Sequence, residues 1–237
     1  MRFHIITIFP DIFDSYLNES IIGRAIKNKL ISVGFYNPRD FIKAPKNNYK
    51  PVDHKPYGGG PGMVMRAEPI LKAVEAVFKK ITNYELRITN KKNRKSKILI
   101  INFIPNAEKF TTTYAKTISK KYTDVVLICG RYEGIDARVD KILKTKKLSI
   151  GDYVLTGGEI PAMILVDCVS RQIEGVLGNY DSREEERVSS SEVYTRPEVL
   201  KYPFNSVQGK KSKNYKVPKV LLSGNHKDIE EWRKRDK

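Results

Sequence analysis

Apolar positions along this 237-residue chain fall either in short unbroken runs or in helix-spaced faces, and the alternation of the two predicts most of the architecture. Phe3 to Phe9 reads as a buried strand, after which Pro10 and Asp11 open a helical pattern with apolar Ile12, Phe13, Tyr16 and Leu17. A second helix covers Ser20 to Leu30, and Val33 to Tyr36 reads as another strand. Ile98 to Ile104 is a continuous apolar strand, with Asn106 as N-cap of a helix whose inner face is Phe110, Tyr114 and Ile118. Val125 to Cys129 is the following strand, and Pro161 to Ile173 a buried helix. Such alternation predicts an α/β fold with a mostly parallel sheet.

The segments between are polar, each in its own way. Ala44 to Gly62 is rich in Pro, Gly and Asn and long for a structureless loop, which points to a functional one. Glu68 and Pro69 start a helix, proline being tolerated in a first turn. Residues 79–97 hold eight Lys or Arg and few apolar groups, and read as a solvated basic insertion. Residues 179–193 are polar, acidic and then serine-rich, and read as a linker between a domain spanning 1–178 and a small one spanning 194–237. In the latter, Asn225, Asp228, Ile229 and Trp232 predict a capped amphipathic helix.

Charge sharpens the picture only in part. Lys and Arg number 44 against 27 Asp and Glu, a net charge of +17. That surplus suits a polyanion such as RNA, although a solubilising basic surface accounts for it equally well. Cys129 and Cys168 sit in apolar runs and read as buried reduced thiols, in keeping with a cytoplasmic protein. His4, His54 and His226 lie far apart, so no protein-held zinc site is expected. No run has the length of a signal sequence or membrane span, which predicts a soluble, unprocessed chain.

Candidate chemistry gathers where strands end in glycine turns: Leu127-Ile128-Cys129-Gly130-Arg131-Tyr132-Glu133-Gly134-Ile135-Asp136, then Ser149-Ile150-Gly151-Asp152-Tyr153-Val154-Leu155-Thr156-Gly157-Gly158-Glu159-Ile160-Pro161. Glycine lets a ligand lie against bare main chain, and loops at neighbouring strand ends converge on one pocket. Gly58-Gly59-Gly60-Pro61-Gly62 lacks the Gly-Lys-Ser/Thr of a phosphate loop, which argues against a nucleotide triphosphatase.

With Ile8 to Phe13, Gly23-Arg24-Ala25, Pro38 to Phe41, Asp53 to Met63, Tyr194 to Val199 and Leu221 to His226, these runs resemble the bacterial tRNA (guanine-N1-)-methyltransferases acting at guanosine 37. The resemblance spans nearly the whole chain. It implies the SPOUT fold, a parallel sheet with a deep trefoil knot, joined to a small, mostly helical C-terminal domain. It also implies S-adenosylmethionine bound by Phe103, Ile104 and Pro105, by Gly130, Arg131, Tyr132 and Glu133, by Ser149, Ile150, Gly151, Tyr153, Val154 and Leu155, and by Gly157, Gly158 and Pro161.

Asp53, Tyr57, Gly58, Gly59, Gly60 and Arg171 take substrate-binding roles on the same resemblance, and Arg171 and Glu186 catalytic ones. It further implies a homodimer with the active site between subunits, tRNA as partner, and magnesium as a substrate-linked ion. This chain departs from the family pattern at Ile104-Pro105-Asn106-Ala107, where the family has serine-proline-any-glycine. It departs again at Glu186, where the family has aspartate, with Glu184 and Glu185 as competing neighbours. A Lys-rich stretch, Gly209 to Lys219, and a C-terminus soon after Trp232 predict a shortened tRNA-binding domain. A SPOUT methyltransferase with another RNA target and a catalytically silent RNA-binding module remain the alternatives.

Overall fold

A computed structural model of the chain describes residues 1–43, 50–87, 96–178, 192–202 and 212–234. The chain divides into two compact units, Met1–Tyr180 and Asp181–Lys237.

The first unit is built on five parallel strands: β1 (Arg2–Ile6), β2 (Ser32–Tyr36), β5 (Ile98–Lys109), β6 (Asp124–Ile128) and β7 (Lys146–Ser149). Their spatial order is β2-β1-β6-β5-β7. Helices cover both faces, so the strands read as unbroken apolar runs. On one face Phe3, Ile5, Val125 and Leu127 pack against α2 (Ser20–Lys27), α4 (Thr112–Lys121) and α6 (Glu159–Ser170). On the other, Ile6, Val126 and Ile128 meet α3 (Ala67–Arg87) and α5 (Arg138–Leu143). The short helix α1 (Asp14–Leu17) and the strands β3 (Asp53–His54) and β4 (Val64–Met65) complete the unit.

Three elements differ from expectation. The β5 strand does not end at Ile104: its pairing with β7 breaks between Phe103 and Glu108, then resumes. Pro105 has no N–H to give a ladder, so the chain bulges there and carries on. The N-cap of α4 is therefore Thr111, which accepts from Tyr114 N, and not Asn106. The basic stretch from residue 79 is likewise not all loop, because α3 runs on to Arg87 and buries Ile81. Its helical spacing places Ile70, Val74, Val77 and Ile81 on one face while the lysines point away.

At the N-terminal ends of β1 and β6 lies a buried charge cluster. Asp124 is fully buried and accepts from Arg2 at 2.6 and 2.7 Å and from Thr123 at 2.8 Å, with His4 Nε2 at 2.9 Å. Burial alone pushes this carboxyl up, but the hydrogen bonds from His4, Arg2 and Thr123 outweigh it and hold the group well below the usual carboxylate range.

Within the second unit, β8 (Val199–Tyr202) and β9 (Lys213–Lys216) form an antiparallel pair that the sequence did not announce. Two helices follow, α7 (Lys219–Leu222) and α8 (His226–Lys234), the latter as expected from Asn225 and Asp228, whose side chains bond at 2.8 Å.

Candidate active site

Loops leaving β5, β6 and β7, neighbours in the sheet, enclose a cavity of about 460 Å3. Phe103, Ile104 and Pro105 line it from the β5 bulge, and Gly130, Arg131, Tyr132 and Glu133 from beyond β6. Ser149, Ile150, Tyr153, Val154 and Leu155 come from beyond β7, with Gly157, Gly158 and Pro161 at the start of α6. Of the residues expected to hold the cofactor, Gly151 alone does not line the cavity. A Cβ there would meet the Tyr153 ring at 2.3 Å, so Gly151 makes room for that aromatic wall.

The crowding is tightest where α6 meets the end of β6. A Cβ on Gly158 would lie 2.6 Å from Cys129 Cα and 3.0 Å from Gly130 N, and Gly158 N donates to Gly130 O at 2.9 Å. Backbone against backbone leaves nothing to swing aside. Tyr132 holds a left-handed conformation, φ 61°, which turns the loop back over the cavity. The Cys129 thiol is pushed well above its ordinary value by burial, then by the negative charge of Glu159, with Arg131 partly opposing. It is an inert core thiol.

Asn102, Asp140 and Lys147 also line the cavity, though the sequence reading did not single them out. Asn102 Nδ2 donates to Asp140 Oδ1 at 3.0 Å, and Lys147 Nζ lies 3.1 Å from Asp140 Oδ2. Burial raises the Asp140 carboxyl, but Thr145, Asn102 and Lys147 together bring it below its ordinary value. The available signal was Asn102 itself, a polar residue inside the apolar run from Ile98 to Ile104.

The glycine loop adjoins this cavity. Tyr57 is fully exposed, and Gly58, Gly59 and Gly60 take φ values of 85°, 81° and 113° with open space around them. Asp53 pairs across β3 and β4 with Met65. From there the chain is stitched to the β6 loop: Met65 N donates to Gly134 O at 2.9 Å, Asp136 N to Met65 O at 3.0 Å and Glu133 N to Met63 O at 2.9 Å. Gly62 is so close to Glu133 that a Cβ would sit 2.5 Å from its carboxylate. Glu133 thus touches both the cavity and the base of the loop.

Arg171 follows α6, partly buried, its N–H bonded to Asp167 O, and is not among the cavity-lining residues. Glu186 lies outside the described residues.

Comparison with known proteins decides the family. The family model described as "tRNA (Guanine-1)-methyltransferase TrmD" matches residues 1–237. The chain belongs to this family. A tRNA (guanine-N(1)-)-methyltransferase of Clostridioides difficile strain 630 is 43% identical over 236 residues, covering 100% of this chain and 92% of the relative. One from Buchnera aphidicola subsp. Acyrthosiphon pisum is 41% identical over 231 residues, with 98% and 87% covered. Among solved structures, the tRNA (m1G37) methyltransferase from Aquifex aeolicus superposes with a TM-score of 0.72 at 38% identity, covering 98% of this chain and 87% of that one. The tRNA (guanine-1)-methyltransferase family thus accounts for the parallel sheet and for the glycine turns at its strand ends.

Proposed function

We propose that this enzyme transfers a methyl group from S-adenosylmethionine to N1 of guanosine 37 in tRNA. The observation that carries this reading is the convergence of three glycine- and proline-broken strand ends on one cavity, with the 57–62 loop stitched to its edge. The lining suits such a ligand. Phe103, Ile104, Leu148, Ile150 and Leu155 offer apolar cover for an aromatic base, and the bare main chain at Gly130, Gly157 and Gly158 offers hydrogen bonds at close range. When bound, the cofactor supplies an electrophilic methyl group. On this reading the three loops are threaded as the family's trefoil knot.

Asp53, Tyr57, Gly58, Gly59 and Gly60 hold the target base, the exposed tyrosine offering a stacking face and the glycines a path for close backbone approach. Alkylation at N1 of guanine requires removal of the N1 proton and tolerance of negative charge at O6. Glu186 takes the proton as general base, and Arg171 stabilises the oxygen. Both act in a homodimer whose active site is shared between subunits, in the cytoplasm. Magnesium enters with the RNA phosphates, and among the described residues no cluster of His, Cys, Asp or Glu could hold a metal ion. Among them, too, no helix is long and apolar enough to cross a membrane.

The test is methyl transfer from labelled cofactor to tRNA carrying guanosine or adenosine at position 37. Transfer to the guanosine form alone is the expected result. Equal labelling of both redirects the enzyme to another RNA position, and binding without labelling makes it a silent RNA-binding module.

A further inference from the structure

Arg131 lines the cavity, and its Nε lies 2.9 Å from Oε2 of Glu159, a residue 1% exposed that stands one layer behind the lining. Thr7 Oγ1 donates to the other carboxylate oxygen at 2.9 Å, and the Arg131 guanidinium is held 4.8 Å from the centre of the Phe9 ring. Arg131 Nε and Glu159 Oε2 make no hydrogen bond, so the pair acts as two close charges and not as a closed fork. The other charged side chains on the cavity wall are Glu133, Asp140 and Lys147. Two cations and two anions therefore line the cavity, and Glu159 behind them leaves the surroundings with one excess negative charge. Glu159 itself is cut off from water, so its charge is less screened than those of the exposed Glu133 and Lys147.

We propose that Glu159 sets the cavity's preference for charge: by offsetting Arg131 it lets the site favour a sulfonium over the neutral thioether left after transfer. This rests on the reading of the cavity as the methyl-donor site. In transfer the sulfur–methyl bond breaks, its electron pair stays on sulfur, and the sulfur loses its positive charge as guanine N1 gains the methyl. S-adenosylmethionine and S-adenosylhomocysteine differ by little else. A change in stability, or in shape away from the methyl group, moves both affinities together, whereas a change in field separates them. Glu159 then does two things: it helps capture the donor and eases release of the spent product.

The experiment is calorimetric titration of the full-length protein with each ligand, reading the ratio of the two affinities. Glu159→Gln is expected to lower the preference for S-adenosylmethionine roughly tenfold, the scale of one unit charge nearby in a site of intermediate dielectric. Arg131→Gln is expected to raise it, and Glu159→Asp to keep it near wild type. Opposite signs from the two neutralised variants cannot arise from a structural role. Should Glu159→Gln fail to fold, Arg131→Gln and Glu159→Asp still decide. A ratio unmoved in Arg131→Gln and Glu159→Gln overturns the proposal and leaves the donor-site reading standing. Wild-type protein that binds neither ligand overturns the donor-site reading itself.

Discussion

Gly158 and Cys129 approach so closely that a single added methyl on the glycine would fall 2.6 Å from the Cα of the cysteine. Because the obstructing atoms are main chain, relief requires moving the start of α6 away from the end of β6. Gly158→Ala should cost roughly 1–3 kcal/mol of stability, as overpacking does, and weaken S-adenosylmethionine binding. Gly151→Val should behave differently. Its clash is with the half-exposed Tyr153 ring, which can swing out of the cavity, so ligand affinity should fall with little change in melting temperature. Calorimetry and thermal melts on both variants check this. Wild-type affinity in Gly151→Val would detach the Tyr153 wall from the ligand.

The Asp124 cluster predicts an acid sensitivity far from the chemistry. Its folded-state pKa lies below the unfolded value of about 3.9. The stabilisation is therefore present above that pH and is lost as pH falls through the folded value. Asp124→Asn should cost roughly 3–5 kcal/mol at neutral pH, since it leaves Arg2 without its carboxylate partner. The same variant should also flatten the dependence of stability on pH below about pH 4. Denaturant unfolding at pH 7 and pH 3 measures both. An equal loss at the two pH values would show that the carboxylate's charge is not what matters.

How much of this was legible beforehand follows from range. Glycine and proline at strand ends mark the β6 and β7 loops locally, and so two of the three walls of the cavity could be read directly. The β5 bulge could not, because an apolar run broken by one proline reads equally as a strand that stops. The pairing of Arg131 with Glu159 depends on two loops meeting in space and has no periodic signature. The β8–β9 pair escaped because its residues are all exposed and Lys-rich, with no buried face to produce alternation.

Lys91, Lys92, Arg94 and Lys95 lie outside the described residues, yet their charge makes a prediction of its own. Neutralising all four should weaken tRNA binding and flatten its salt dependence without changing which base is methylated. Filter binding across a salt series gives the slope. An unchanged slope rejects this segment as an RNA contact.

Glu186→Gln keeps the side chain's size and removes its basicity. Single-turnover methylation should slow by roughly 10²–10⁴-fold with cofactor affinity nearly unchanged, and Glu185→Gln should do much less. A larger loss in Glu185→Gln would move the base by one residue. Little loss in either would remove both carboxylates from the mechanism.

The bonds from Met63 and Met65 to the 133–136 backbone mean that one edge of the cavity is closed by chain synthesised some seventy residues earlier. A Cβ at Gly62 would press on Glu133 from the same side. The stretch from β5 to α6 is therefore not a portable cassette. Grafted elsewhere, or expressed without residues 50–66, it would present an opened cavity with three main-chain polar groups, at Glu133, Gly134 and Asp136, turned out to solvent.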